Sequence, residues 1–236
     1  MQKVLNKIVN LIIDGYFWAL DYLYVAYWQL RDLFARWDPE SYTSPSASSD
    51  FSIILIPGVY ESWKFMRPVA ESLHQQGYDV RVVENLKFNR GSVEDMARVV
   101  REYLHKSNIK KCLLVAHSKG GLIGKYLLLN YNKDKRIKGM VTLNTPFSGS
   151  KYAYFFLPFK TVRMFLPTAP LLKNMAINES VNARIVSIYG VFDPHIPGGS
   201  YLKGAQNIQL KTRGHFRIMG SKKVHTAIFR AIRKLK

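Results

Sequence analysis

Ser118 stands in the stretch "AHSKG", where an apolar strand pattern, "KCLLVAH" (111–117), runs directly into a helical one over 118–131. A serine hydroxyl is a poor nucleophile by itself. It needs an imidazole to take its proton and a carboxylate to fix the tautomer of that imidazole. Beyond Ser118 the carboxylates are Asp134, Glu179 and Asp193, and the histidines are His195, His215 and His225. Asp134 in "NKDKR" and Glu179 in "NES" sit in polar connections, where solvated charges belong. Asp193, in "GVFDPHIPGGS", follows a strand pattern over 183–190 and opens a Pro/Gly-rich loop. His195 adjoins that loop, and His225 falls inside a basic helical pattern. His215, in "KTRGHFRIM", lies between the last strand pattern and the last helix, just after Gly214.

The elements that must position these side chains alternate from Phe51 onward. Strand patterns at 51–58, 78–85, 111–117, 137–146, 183–190 and 207–212 are separated by helical ones, among them 62–77, 92–107 and 118–131, and 221–236 closes the chain. Short apolar strands alternating with helices predict βαβ units and a parallel sheet covered on both faces. Sites in such sheets form at the carboxyl ends of the strands. Ser118, Asp193 and His215 all fall at such ends.

The segment "A-H-S-K-G" resembles the nucleophile elbow G-x-S-x-G of the α/β-hydrolases, with Ala116 in the first glycine position. Small residues are needed there because strand and helix nearly touch on either side of a strained serine. "LNTPFSGS" (143–150) is similar to an Asn/Ser-Thr-Pro-His-x-Gly-Ser stretch of bacterial lipases, with Phe147 replacing the histidine. The resemblance covers about residues 51–236. It implies an α/β-hydrolase fold with a mostly parallel sheet of about six strands, helices on both faces and a small cap at about 147–182. It also implies the order Ser, acid, His, hence catalytic Ser118, Asp193 and His215. Asn144 stands where some relatives place their acid, and an amide cannot carry the charge, which again favours Asp193. The implied oxyanion hole is made by the backbone N–H groups of Lys119 and Val59, the latter in "IPGVYESW", where many lipases carry His-Gly and this chain has Pro57-Gly58. The implied reaction is carboxylic-ester hydrolysis through an acyl-enzyme, with no metal and no organic cofactor. An acyltransferase on the same residues, or a catalytically inactive scaffold on the same fold, are the alternatives.

Composition narrows the substrate. The chain of 236 residues suffices for one large α/β domain, and its single cysteine, Cys112, rules out an intramolecular disulfide and fits a reducing compartment. The formal charge is +19, and it is lopsided: residues 104–236 carry 24 Lys/Arg against three acids. Such a field attracts polyanions. No zinc-finger spacing, RNP-like motif or Lys/Arg recognition run accompanies it, which disfavours nucleic acid and leaves anionic lipid headgroups or acidic substrates.

Residues 1–40 form a helical extension, with nine aromatics in the first 37 residues. Asp14, Asp21, Arg31 and Asp32 break its apolar runs, so it falls short of the roughly 18 consecutive apolar residues that a span needs. It reads either as a long helix, or a helix pair broken near Gly15, packed on the domain, or as an interfacial segment with Trp and Tyr at headgroup depth. The Ser/Pro-rich stretch 41–50 reads as a linker. The cap region is rich in Phe, Leu and Tyr, which would suit an acyl chain. Together these features predict a lipid or acyl ester substrate and a cytoplasmic protein peripherally associated with an anionic membrane surface. The Lys119 side chain is expected to be solvated or to meet an anionic headgroup.

Overall fold

The computed structural model describes residues 2–34, 37–43 and 51–236. Six strands form one parallel sheet in the order β2-β1-β3-β4-β5-β6. They are β1 (Ser52–Ile56), β2 (Asp79–Val82), β3 (Cys112–His117), β4 (Ile137–Leu143), β5 (Ile185–Phe192) and β6 (Gln206–Arg213). The main helices are α1 (Gln2–Phe34), α2 (Arg67–Gln75), α3 (Val93–Lys106), α4 (Lys119–Asn130), α6 (Pro170–Ile177) and α7 (Lys222–Leu235), with a single turn α5 (Lys160–Arg163) in the cap.

The sheet is buried on both faces because its strands alternate two apolar sets. Ile54 and Ile56 of β1 point into a core shared with α3, α4 and the cap. Ile53 and Leu55 point into a second core closed by α2 and α7. Helix α7 buries Val224, Ala227, Ile228, Ala231 and Ile232, a repeat at helical spacing that leaves its basic residues outward. Cys112 is fully buried, and burial pushes its thiol up to about 12, so it is unreactive.

Two boundaries depart from the sequence patterns for identifiable reasons. The helical pattern over 62–77 begins as a 3-10 turn, Trp63–Met66, and the α-helix starts only at Arg67. Pro68 has no N–H to give to the preceding turn, so the regular helix restarts around it. The strand expected over 78–85 ends at Val82, and the chain turns through Glu84–Leu86 with positive φ at Lys87 and Asn89.

Helix α1 runs unbroken through Gly15. No helix among the described residues is long and apolar enough to cross a membrane. Three of its acids face the domain. Asp14 pairs with Arg213, Asp21 is fully buried, and Asp32 accepts from Ser62 Oγ at 3.4 Å. Trp28 packs in the core shared with α2. The opposite stripe, Ile12, Tyr16, Leu23, Tyr27, Leu30 and Phe34, is exposed throughout. The usual amphipathic order is therefore inverted: acids point inward and apolar side chains outward. The linker expected over 41–50 lies, beyond Thr43, outside the described residues; Tyr42 is buried and edge-on to Trp63.

Candidate active site

Strand β3 delivers Ser118 at its carboxyl end, and α4 leaves at once. Ser118 has φ 50° and ψ −120°, a conformation that L-residues avoid and that over-determined surroundings must hold. The neighbouring glycines show why. A Cβ on Gly120 would stand 2.2 Å from the Ile56 carbonyl oxygen, and one on Gly121 would stand 2.0 Å from Thr145 Oγ1. Even a methyl group is too large at 120, so the sharp turn is built by backbone touching backbone. The Ser118 amide donates to the Leu143 carbonyl at 2.9 Å, tying the elbow to β4.

The three side chains singled out in the sequence meet here. The Ser118 hydroxyl lies 3.0 Å from His215 Nε2, and His215 Nδ1 lies 2.7 Å from Asp193 Oδ2. The other oxygen of Asp193 accepts from the amides of His195 at 2.8 Å and Ile196 at 3.0 Å, which fixes the carboxylate's orientation. Burial alone would push the His215 imidazole down. The Asp193 carboxylate outweighs it, with Glu61 and Asp21 beyond, and the imidazole is held above its ordinary value. Burial likewise opposes the Asp193 charge, but His215 and the donated hydrogen bonds hold its carboxyl below the usual range.

The remaining candidates take other parts. His195 lies beside His215 with tilted rings, centroids 4.8 Å apart, yet its Nε2 faces the Tyr22 hydroxyl at 3.3 Å. Burial first, and the nearby His215 second, push it down to about 3, so it stays neutral. His225 Nε2 donates to the Met219 carbonyl. Asp134 pairs with Arg136 and Glu179 with Lys203, both at the surface. Asn144 is buried and donates to the carbonyls of Gly214 and His215 while accepting from the Gly190 amide. It braces the His215 loop.

The Lys119 side chain corrects the sequence expectation. It is completely buried rather than solvated, and its Nζ donates to the carbonyls of Asn89 and Gly91. Burial lowers it to about 8. Asn89 in turn donates to the Pro57 carbonyl at 2.7 Å, so Lys119 braces the loop after β1 from beneath. That loop carries Val59. The Gly58 amide is engaged by Glu61 Oε2 at 2.7 Å, so the donors this loop can offer to a developing oxyanion begin at Val59. The Lys119 amide opens α4 and has no intrahelical partner.

Two acidic residues at the site carried no signal in the sequence. Glu61 pairs with His117 Nδ1 at 2.9 Å, and His117 Nε2 reaches the His215 carbonyl at 3.0 Å. Asp21 of α1 accepts from the backbone of the His215 loop. Glu61 lies in the loop after β1 and Asp21 in mid-helix, with nothing local to mark either, and only tertiary packing brings them to His215. Beside Ser118 opens a cavity of about 340 Å3, walled by cap residues such as Ala153, Phe156 and Phe165 and by Val25 and Gln29 of α1.

The model of the family described as "alpha/beta hydrolase fold" matches residues 52–190, more than half of the chain. The chain belongs to this family. The match includes Ser118 but ends before Asp193 and His215. No curated protein matches the chain significantly. Among solved structures, the chain is similar to the mature lipase BlEst2 of Bacillus licheniformis, at 18% identity and TM-score 0.59, covering 83% of this chain and 95% of that one. It is also similar to the naproxen esterase of Bacillus subtilis, at 15% identity and TM-score 0.57, covering 80% and 85%. A bacterial membrane phospholipase A, described as a novel virulence factor, aligns at 11% identity and TM-score 0.57 over 100% of this chain and 99% of its own. At such identities the likeness is one of fold.

Proposed function

We propose that this α/β-hydrolase cleaves carboxylic esters of acyl or lipid substrates through a Ser-His-Asp triad and an acyl-enzyme. The observation that carries the reading is the unbroken hydrogen-bonded line Ser118–His215–Asp193 at the edge of an apolar cavity. His215 Nε2 takes the Ser118 proton as Oγ attacks the ester carbonyl. The amides of Lys119 and Val59 receive the oxyanion. His215 then returns the proton to the leaving alcohol, and water, deprotonated by the same imidazole, releases the acid. Asp193 holds the Nδ1 proton and stabilises the imidazolium.

A fluorophosphonate probe tests the nucleophile directly. Folded protein is expected to gain one adduct, located at Ser118 by peptide mass, and heat-denatured protein none. Folded protein that stays unlabelled overturns the reading.

An acyl substrate is supported by the cavity wall, whose ionisable side chains besides tyrosine, among the described residues, are Glu61, His195 and His215. A volume of about 340 Å3 is near the lower end of roughly 300–1,000 Å3 for ligand pockets, which suits an acyl chain rather than a bulky headgroup. An anionic membrane surface is the proposed place of work. The outward apolar stripe of α1 and the exposed cap aromatics Phe155, Phe156 and Phe159 belong to the two elements that wall the cavity. The formal charge of +19 complements an acidic lipid surface. Changing Tyr16, Leu23, Tyr27 and Leu30 together to Ser is expected to reduce co-sedimentation with phosphatidylglycerol vesicles at least about fivefold. Undiminished pelleting of that folded variant removes α1 as the docking surface.

A further inference from the structure

The Asp21 side chain is fully buried, and it ends in none of the ion pairs found among the described residues. Its two oxygens instead take three consecutive backbone N–H groups. Oδ2 accepts from His215 at 2.7 Å, and Oδ1 accepts from Phe216 at 2.9 Å and Arg217 at 2.8 Å. The loop is shaped to admit it. Gly214 has φ +107°, and a Cβ there would stand 2.5 Å from Asp21 Oδ1. From the other side, His117 Nε2 and Asn144 Nδ2 hold the His215 carbonyl at 3.0 and 3.1 Å. The backbone of residue 215 is therefore fixed at its amide by α1 and at its carbonyl by β3 and the end of β4.

We infer that Asp21 is a positioning residue for His215, and that α1, though outside the residues matched by the family model, completes the active site. This rests on the reading of His215 as the general base. A base must sit within hydrogen-bond reach of the proton it takes, and displacements near 1 Å cost about 100-fold in rate. The segment that carries His215 begins at a glycine and continues into a 3-10 turn, Arg217–Gly220, so it has little regular structure of its own to hold the ring. Three successive amides converging on one carboxylate supply that rigidity. Charge is the second contribution. Asp21 is among the groups that hold the His215 imidazole above its ordinary value, behind Asp193 and Glu61; the other titratable neighbours are His195 and His117.

Asp21→Asn keeps the volume but presents an NH2 group to backbone donors. It is expected to lower kcat about 30- to 100-fold with KM within twofold, and to slow fluorophosphonate labelling of Ser118 in parallel. With a negative charge removed, the imidazolium is less stable, so the acid limb of the kcat profile moves to lower pH. Gly214→Ala perturbs the same contact from the loop side, its methyl pressing on the carboxylate while the positive φ strains the backbone next to His215. It should reproduce the kcat loss and the limb shift, and the double variant should lose less than the product of the two. Trp28→Ala loosens α1 without touching the loop; it should lower Tm while leaving the acid limb in place. The inference falls if Asp21→Asn and Gly214→Ala keep wild-type kcat and acid limb while Ser118→Ala is dead. It also falls, together with the triad reading, if Ser118→Ala itself retains turnover. An acid limb displaced equally by Trp28→Ala reduces Asp21 to an anchor of the helix and overturns it too.

Discussion

Ser118→Ala is expected to lower kcat for p-nitrophenyl acyl esters about 10⁵-fold, with Tm changed little. At about 1.4 kcal/mol per decade, this removes about 7 kcal/mol of barrier lowering. In the proposed mechanism the hydroxyl forms the acyl-enzyme, and the side-chain hydrogen bond it makes among the described residues is to His215, so the fold loses little. Ser118→Gly should be equally inactive yet melt at a higher temperature. Glycine adopts φ 50°, ψ −120° without the strain that serine bears there. A variant that is dead and more stable separates a site held under strain for chemistry from an ordinary turn. The wild-type profile adds a sign. His215 must be neutral to accept the serine proton, and its pKa is raised, so turnover should fall on acidification with a midpoint above the ordinary histidine value near 6.5. Turnover that persists in Ser118→Ala, or a wild-type midpoint below that value, contradicts this assignment.

The meeting of the three candidate side chains was legible in the sequence because chain order and strand ends dictate it. Ser118, Asp193 and His215 each stand just past the carboxyl end of a strand, and the scarcity of acids after residue 118 left few competitors. The fold class was legible for a related reason: the apolar runs of the first strands alternate with helical patterns at the spacing of βαβ units. What stayed hidden depends on one element docking onto another. Asp21 looked like a charge interrupting an apolar run, because helical periodicity states which residues share a face but not which face turns inward. Here the acid-bearing face does. Lys119 shows the converse error. A lysine at a helix start is solvated by default, and nothing local says that the 89–91 loop folds over it and offers two carbonyls. Glu61 and His117 lie 56 residues apart and are joined only because β1 and β3 are neighbours in the sheet.

The inverted helix also gives a physical reason why an extension outside the matched family residues would be needed if Asp21 positions His215 as proposed. An ordinary surface helix docks by an apolar stripe and exposes its charges. Helix α1 docks substantially by directed bonds, with Asp14 to Arg213, Asp21 to the His215 loop and Asp32 to Ser62, and leaves its apolar side free. Directed bonds fix registry along the helix axis, which an apolar stripe does poorly. The same helix therefore holds the His215 loop on one side and leaves an apolar stripe exposed on the other.

Asp193→Asn is expected to cost about 10⁴-fold in kcat, nearly as much as losing the nucleophile and for a different reason. The side-chain oxygen that accepts from the amides of His195 and Ile196 survives the change, so the loop should keep its shape. The NH2 group then faces His215 Nδ1, where it can only donate. Nδ1 must become the acceptor, and the ring proton moves to Nε2. That nitrogen points at the Ser118 hydroxyl, 3.0 Å away, and in this tautomer it donates instead of accepting. The base is present, correctly placed and unable to act. Losing the carboxylate also leaves burial opposed only by the lesser pull of Glu61 and Asp21 on His215, so the residual activity should show its acid limb at lower pH than the wild type. Steady-state kinetics across pH, together with fluorophosphonate labelling rates, read both effects. A loss of less than about tenfold, with the limb unmoved, would mean that Asp193 neither sets the tautomer nor supports the imidazolium, and another acid would have to be sought.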